Sequence, residues 1–202
     1  NTIMLVSKFD HCLNDILYRV RNNSLNLNIK AIVSNHKIAE EIANFSKIPF
    51  YYFPVDKSNK EKQELKIKDL IIKNDVEMIV LARYMQVLSE EFTNEFEGKI
   101  INIHHSFLPS FKGAKPYHQA FERGVKVIGA TAHYVTSDLD EGPIIEQDTQ
   151  VVDHEMMPNN LVSMGRDIES RVLYRALKAH SERRVFLNGN RTVVFKGHRI
   201  LG

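Results

Sequence analysis

The chain has 202 residues, 43% of them hydrophobic, which is enough for one domain with a full core. A formal net charge of +2 supplies no overall field for nucleic acid or a membrane surface. The single cysteine, Cys12, excludes an internal disulfide and makes the reducing cytoplasm the expected compartment, and the apolar runs, such as Ile79 to Ala82, are far too short to span a bilayer.

The sequence opens on Asn1-Thr2 and runs straight into an apolar strand, residues 2–7, with no signal peptide. The missing initiator methionine is read as a sign of a fragment or a processed chain. Asp10 is placed to cap a helix whose inner face is Leu13, Ile16, Leu17 and Val20. A second strand is expected over 29–34, then a short helix marked by Ile38, Ile42 and Phe45, then a third strand within 49–55. Ser58 and Glu61 have the spacing of a capping box for a charged helix that turns Ile67, Leu70 and Ile71 inward, the rest of Lys57 to Lys73 being solvated. Strands at 77–82 and 99–104 complete a strand–helix alternation that implies a mostly parallel, doubly wound, Rossmann-like α/β sheet.

From residue 125 the pattern changes. Two long β-rich runs, 125–136 and 143–152, predict an antiparallel extension of the sheet. A long helix follows over about 158–183, with Leu161, Met164, Ile168, Val172, Ala176 and Ala179 on one side. A small hairpin turning at Asn188-Gly189 ends the fold. The domain is assigned to 1–195, and 196–202 is read as a cloning-derived or disordered tail.

The first glycine is Gly98, so the turn after strand one carries neither G-x-G-x-x-G nor a P-loop. A sheet of nucleotide-binding appearance therefore lacks the glycine-built phosphate cradle, and its site is expected at other strand ends. Two segments qualify: Arg83, Tyr84, Met85, Gln86, Val87 and Leu88 after strand four, and "NIHHS", 102–106, at the end of strand five. Asn102 and His104 stand two apart on one strand, so they share a face, where an amide N–H and an imidazole can both serve a carbonyl oxygen that is becoming an oxyanion. Asp140, in a turn with Asp138, Glu141 and Gly142, is the candidate for handling protons, with Asp138 as its local rival. Taken singly, Asn102 is a strand-end amide, His104 a core histidine and Asp140 a turn former. His105 is open between a supporting partner and a loop residue. His104, His105, His118 and His133 lack the spacing of a metal motif, so no metal site is assigned. Cys12 reads as a small core residue.

The segments "NIHHSFLPSFKGAKPYHQA" and "GATAHYVTSDLDEGPII" resemble the folate-dependent formyltransferase domain. Its signature, N-x-H, then H/P-S-x-L-P, then D-x-G-P about 38 residues after the asparagine, is met by Asn102 and His104, His105 to Pro109, and Asp140 to Pro143. The resemblance covers about residues 2 to 195 and is closest to the formyltetrahydrofolate deformylases, because His105 stands where the transferases have proline and "KFDHCLNDIL" has no glycine. It implies a formyltransferase fold and hydrolysis, at a linear-amide-type C–N bond, of 10-formyltetrahydrofolate to tetrahydrofolate and formate, which supplies purine synthesis and balances one-carbon pools. The alternatives are a formyltransferase using an amine acceptor such as glycinamide ribonucleotide, and a folate-binding module without turnover. The resemblance assigns Asn102, His104 and Asp140 to catalysis, and Arg83 to Leu88, His105, Ser106, Gly113 and Asp138 to substrate binding. It implies no metal or redox cofactor, folate being the substrate, no nucleic-acid or membrane partner, and a homo-oligomer. It also implies an N-terminal ACT-type regulatory domain that is missing from this chain.

Overall fold

The computed structural model describes residues 1–56, 58–106 and 116–197. In chain order they form β1 (Thr2–Val6), α1 (His11–Arg21), β2 (Ile29–Ser34), a 3₁₀ turn (Lys37–Ala39), α2 (Glu40–Phe45), β3 (Phe50–Tyr52), α3 (Lys60–Lys73), β4 (Met78–Leu81), α4 (Glu90–Glu95) and β5 (Ile100–His104). After β5 come α5 (Pro116–Glu122), β6 (Val127–Tyr134), β7 (Ile144–Val151), α6 (Pro158–Ser181), β8 (Val185–Asn188) and β9 (Arg191–Val194).

Seven strands form one sheet in the order β3-β2-β1-β4-β5-β6-β7. Pairing is parallel from β3 through β5 and antiparallel from β5 through β7, as the change of pattern after residue 124 predicts. Successive side chains of a strand face opposite ways, so β1 sends Met4 and Val6 into one core and Ile3 and Leu5 into the other. The first core is closed by α1 and α6 through Leu13, Ile16, Val172 and Leu173; the second is closed by α3 and α4 through Ile67, Leu70, Phe92 and Phe96. Of the stripe expected on α6, Met164 is half-buried and the other five are buried. No helix among the described residues is long and apolar enough to cross a membrane.

Four local readings are corrected. Asp10 stands at the N-cap of α1 but its side chain makes no capping bond. Asn59, not Ser58, precedes α3, and the Ser58 hydroxyl donates to Asp56 Oδ1 at 2.6 Å, a local turn winning over the capping box. Near α2 the inward residues are Ala39 and Ala43, while Ile38 and Phe45 are exposed: the initial 3₁₀ turn breaks the 3.6-residue phase assumed for one continuous helix. Asn188 pairs with Arg191, which leaves Gly189 and Asn190 as the two-residue turn, with Gly189 at φ +59°.

Candidate active site

The order of strand addition reverses between β1 and β4: β2 and β3 are added on one side of β1, β4 and β5 on the other, all five parallel. A sheet of this kind opens a crevice at the carboxyl ends of its strands there. A cavity of about 400 Å³ is found at those ends, lined by residues 83–88 after β4, by Asn102, His104 and His105 of β5 and its exit, by His133 of β6, and by the turn around Asp140.

Both ends of the 83–88 segment are tied down. Ser7, at the exit of β1, donates its backbone N–H to the Arg83 carbonyl at 3.2 Å, and its hydroxyl oxygen accepts from the Met85 N–H at 2.9 Å. At the far end, buried Glu64 of α3 accepts from both the Ser89 N–H and the Ser89 hydroxyl, and Ser89 in turn caps α4 by accepting from the Phe92 N–H at 3.2 Å. Gln63, also buried, donates to the Tyr84 hydroxyl at 2.6 Å. The polar face of α3 is thus not wholly solvated: two of its residues hold the cavity wall. Lys57 lies outside the described residues.

Asn102 and His104 do share a face of β5. The antiparallel register sets Asn102 opposite His133, whose Nε2 lies 3.2 Å from the Asn102 amide nitrogen. His133 Nδ1 lies 2.9 Å from the Tyr134 carbonyl, an acceptor only, so Nδ1 carries the proton and Nε2 accepts from Asn102. One amide N–H of Asn102 is thereby fixed and the other is left for a ligand. Burial pushes the His133 imidazole below its ordinary value, which keeps that acceptor available at neutral pH.

Asp140 reaches the same place from the turn between β6 and β7. Its Oδ1 lies 3.3 Å from His104 Nδ1 and 3.8 Å from His133 Nε2. The His104 contact, more than the charges around it, holds the Asp140 carboxyl below the usual carboxylate range, so it is ionised at neutral pH. The turn depends on Gly142: a Cβ there would stand 1.8 Å from the Tyr134 carbonyl oxygen. Asp140 itself adopts φ +58°, a left-handed conformation tolerated better by Asp than by bulkier residues.

The expected binding residues divide. Arg83 to Leu88 and His105 line the cavity, and His105 packs its ring 4.9 Å from that of His104. Ser106 is buried and offers its carbonyl to Thr131 Oγ1 at 3.0 Å, a bond that anchors the strand exit. Asp138 does not line the cavity; its carbonyl accepts from Thr136 Oγ1 and the Glu141 N–H, so it shapes the turn that presents Asp140. Gly113 lies outside the described residues. Sequence reasoning missed His133 as an Asn102 partner, and Val135, Thr136 and Leu139 as wall, because strand register across an antiparallel pair has no signature in spacing.

Behind Arg83 lies a second polar group. Glu169 of α6, 1% exposed, has Oε2 2.7 Å from His11 Nε2 and accepts at Oε1 from the Tyr117 hydroxyl at 2.7 Å. Burial alone would raise its pKa, but His11, Arg83 and Tyr117 outweigh burial and hold it low. His11, Cys12 and Glu169 bring three donor atoms within 4.8 Å of one another. The set does not suit a metal: burial pushes the Cys12 thiol far up, away from the thiolate a metal needs, and the Arg83 guanidinium adjoins it. Cys12 is fully buried, as a small core residue is expected to be.

Comparison with known proteins agrees with this geometry. The formyl transferase family model matches residues 1–177. The chain is 52% identical over 194 residues to the formyltetrahydrofolate deformylase of Corynebacterium sp. (strain P-1), covering 96% of this chain and 68% of that protein. It is 49% identical to the Bacillus subtilis (strain 168) deformylase, covering 95% and 64%. It thus spans about two thirds of the length of these curated relatives. The crystal structure of the Burkholderia mallei deformylase superposes with a TM-score of 0.93 at 53% identity, over 96% of this chain and 69% of that one. Glycinamide ribonucleotide transformylase 1 from Symbiobacterium toebii superposes with a TM-score of 0.88 at 26% identity, over 96% and 93%. A family match over most of the chain, on a fold that gathers Asn102, His104 and Asp140 into one cavity, leads to one assignment: the chain belongs to the formyl transferase family.

Proposed function

We propose that the chain hydrolyses 10-formyltetrahydrofolate to tetrahydrofolate and formate, a one-carbon acid available for purine synthesis. The observation that carries the reading is the meeting of Asn102 and His104, on one strand end, with Asp140 from a turn, in a chain about half identical to named deformylases. The free amide N–H of Asn102 donates to the formyl oxygen as it becomes an oxyanion. His104 stands beside them with Nδ1 3.3 Å from Asp140 Oδ1, and where it carries a second proton its Nε2 donates toward the same oxygen. Such donors act most strongly in a site that excludes water and is already oriented. Asp140 positions the attacking water, takes its proton as the C–O bond forms, and passes a proton to N10 as the C–N bond breaks. The 83–88 segment, with Leu81, Val135 and Leu139, supplies a largely apolar wall for the folate rings.

Water rather than an amine is the acceptor in this reading. A phosphorylated acceptor needs an anion cradle, and the turn after β1 is where backbone N–H groups at a helix N-terminus would make one. Here Asp10 brings a carboxylate to that turn, His11 is held by Glu169, and Phe9 packs against Arg83 and Arg166 with its ring centroid 5.5 Å and 5.6 Å away. Incubation with 10-formyltetrahydrofolate, with and without glycinamide ribonucleotide, separates the reactions. Formate is expected in step with tetrahydrofolate under both conditions; formylated ribonucleotide appearing at a matching rate identifies a transferase.

A further inference from the structure

The mechanism above gives the Arg83 guanidinium no task. Arg83 follows β4 at φ +63°, a strained conformation for a non-glycine residue that persists only where the surroundings impose it. Its side chain is 10% exposed, and the residue lines the cavity. Nε lies 3.3 Å from Glu169 Oε2, close enough for an ion pair but not aligned for a hydrogen bond. Nε and Nη1 have no hydrogen-bond partner among the described residues. Glu169 is meanwhile engaged by His11 and Tyr117. Buried donors are nearly always paired, so a guanidinium held this way is short of an acceptor.

The charges of the cavity indicate which acceptor. Its ionisable wall groups among the described residues are Arg83, Tyr84, His104, His105, His133, Asp140 and Glu141. His105 is driven down to about 4, first by burial and then by the Arg83 charge, and burial pushes His133 down too, so both are neutral at neutral pH. Asp140 is an anion. Arg83 is the one permanent cation among these groups. Hydrolysis then creates a second anion, formate, beside Asp140, and like charges a few ångströms apart repel.

We infer that Arg83 is the landing site of the formate product, a one-carbon carboxylate subsite that adjoins the reacting atoms. Nη1 has almost no exposed surface in the free protein, so formate engages the end-on pair of N–H groups as a small turn of the guanidinium opens Nη1 to the cavity. Glu169 fixes the orientation of the fork and offsets part of its charge, so the product is drawn away from Asp140 without being retained. The inference rests on the deformylase reading, since formate is the product only there.

The test is titration of the intact protein with ¹³C-formate, read by NMR line broadening, with and without tetrahydrofolate. It needs no turnover. Wild type is expected to show saturable broadening. Arg83→Lys, which keeps the charge and loses the fork, weakens it roughly tenfold. Arg83→Met/Glu169→Gln, which removes both charges together, abolishes it, and Glu169→Gln alone retains or strengthens it. Wild type without saturable broadening overturns the inference. So does a folded double variant that binds like wild type, or Arg83→Lys binding as tightly as wild type should the double variant fail to fold. A separate assay of formate release keeps the two readings apart: release without formate binding sinks the subsite alone, and binding without release sinks the deformylase reading.

Discussion

Asp140 carries the sharpest expectation. An amide in its place keeps the size of the side chain and removes the proton acceptor. Asp140→Asn is therefore expected to bind tetrahydrofolate as before and to lose about 10²–10⁴ in formate release, the usual weight of a general acid–base group. Near wild-type release transfers the role to Glu141, the next carboxylate in the cavity wall. Asn102 and His104 were legible as one strand face and Asp140 as a turn residue, but what joined the three was the family signature, not their own spacing or composition. His133 was not legible. Its part depends on the pairing Asn102↔His133, and a slip of one residue would turn it to the other side of the sheet. Arg83 was legible as a cavity residue, but the burial of Nε and Nη1 without partners has no trace in sequence.

Helix α6 supports the site through close packing as well as through Glu169. A Cβ at Gly165 would stand 2.0 Å from the Tyr117 ring, so the absence of a side chain there lets α5 lie against α6. Gly165→Ala must displace that ring, and with it the hydroxyl that donates to Glu169. Overpacking of this kind costs about 1–3 kcal/mol. Thermal unfolding is expected to show the loss, and restoring space with Tyr117→Leu in the alanine background recovers part of it; an unchanged melting temperature in Gly165→Ala refutes this account of the contact. Strands β1 and β4 were read well from apolar runs, since both are buried on both faces. The ends of helices were read poorly. Ser58 and Asp10 have the right chemistry for caps, but their local backbones send the side chains elsewhere, and composition does not determine that choice.

Across the folded chain, three histidines set the response to acid. His105, His133 and His180 are all held below the ordinary value of 6.5, His105 at about 4, with burial the largest cause in each. A depressed histidine means that the unfolded chain binds the proton first. Stability is therefore full above about pH 6.5 and falls as pH drops toward the folded values, by up to about 1.4 kcal/mol per pH unit for each histidine. The depressed carboxyls of Asp140 and Glu169 act lower: their contribution is present above their ordinary values of 3.8 and 4.5 and is lost only as pH falls through the folded ones. The melting temperature is thus expected to decline between about pH 6.5 and about pH 5, before the depressed carboxyls of Asp140 and Glu169 titrate. A flat profile over that range, with decline only below it, would show that the buried imidazoles are charged in the native state.

The two halves of the site are built on backbones of opposite character. Strand β5 has a paired neighbour on each side, and Ile100, Ile101 and Ile103 are buried. The turn bearing Asp140 has exposed residues at 137–139 and 141, and between Asp138 and Glu141 one backbone bond at 3.3 Å. In the language of amide exchange, the ladder amides of β5 become accessible only when the whole chain opens, while those of 138–141 exchange through small local fluctuations. The proposed oxyanion donors therefore sit on a slowly exchanging stratum of the protein and the proposed proton acceptor on a fast one. In that proposal the carboxylate swings aside to admit water and release product, again and again, while Asn102 and His104 keep their places.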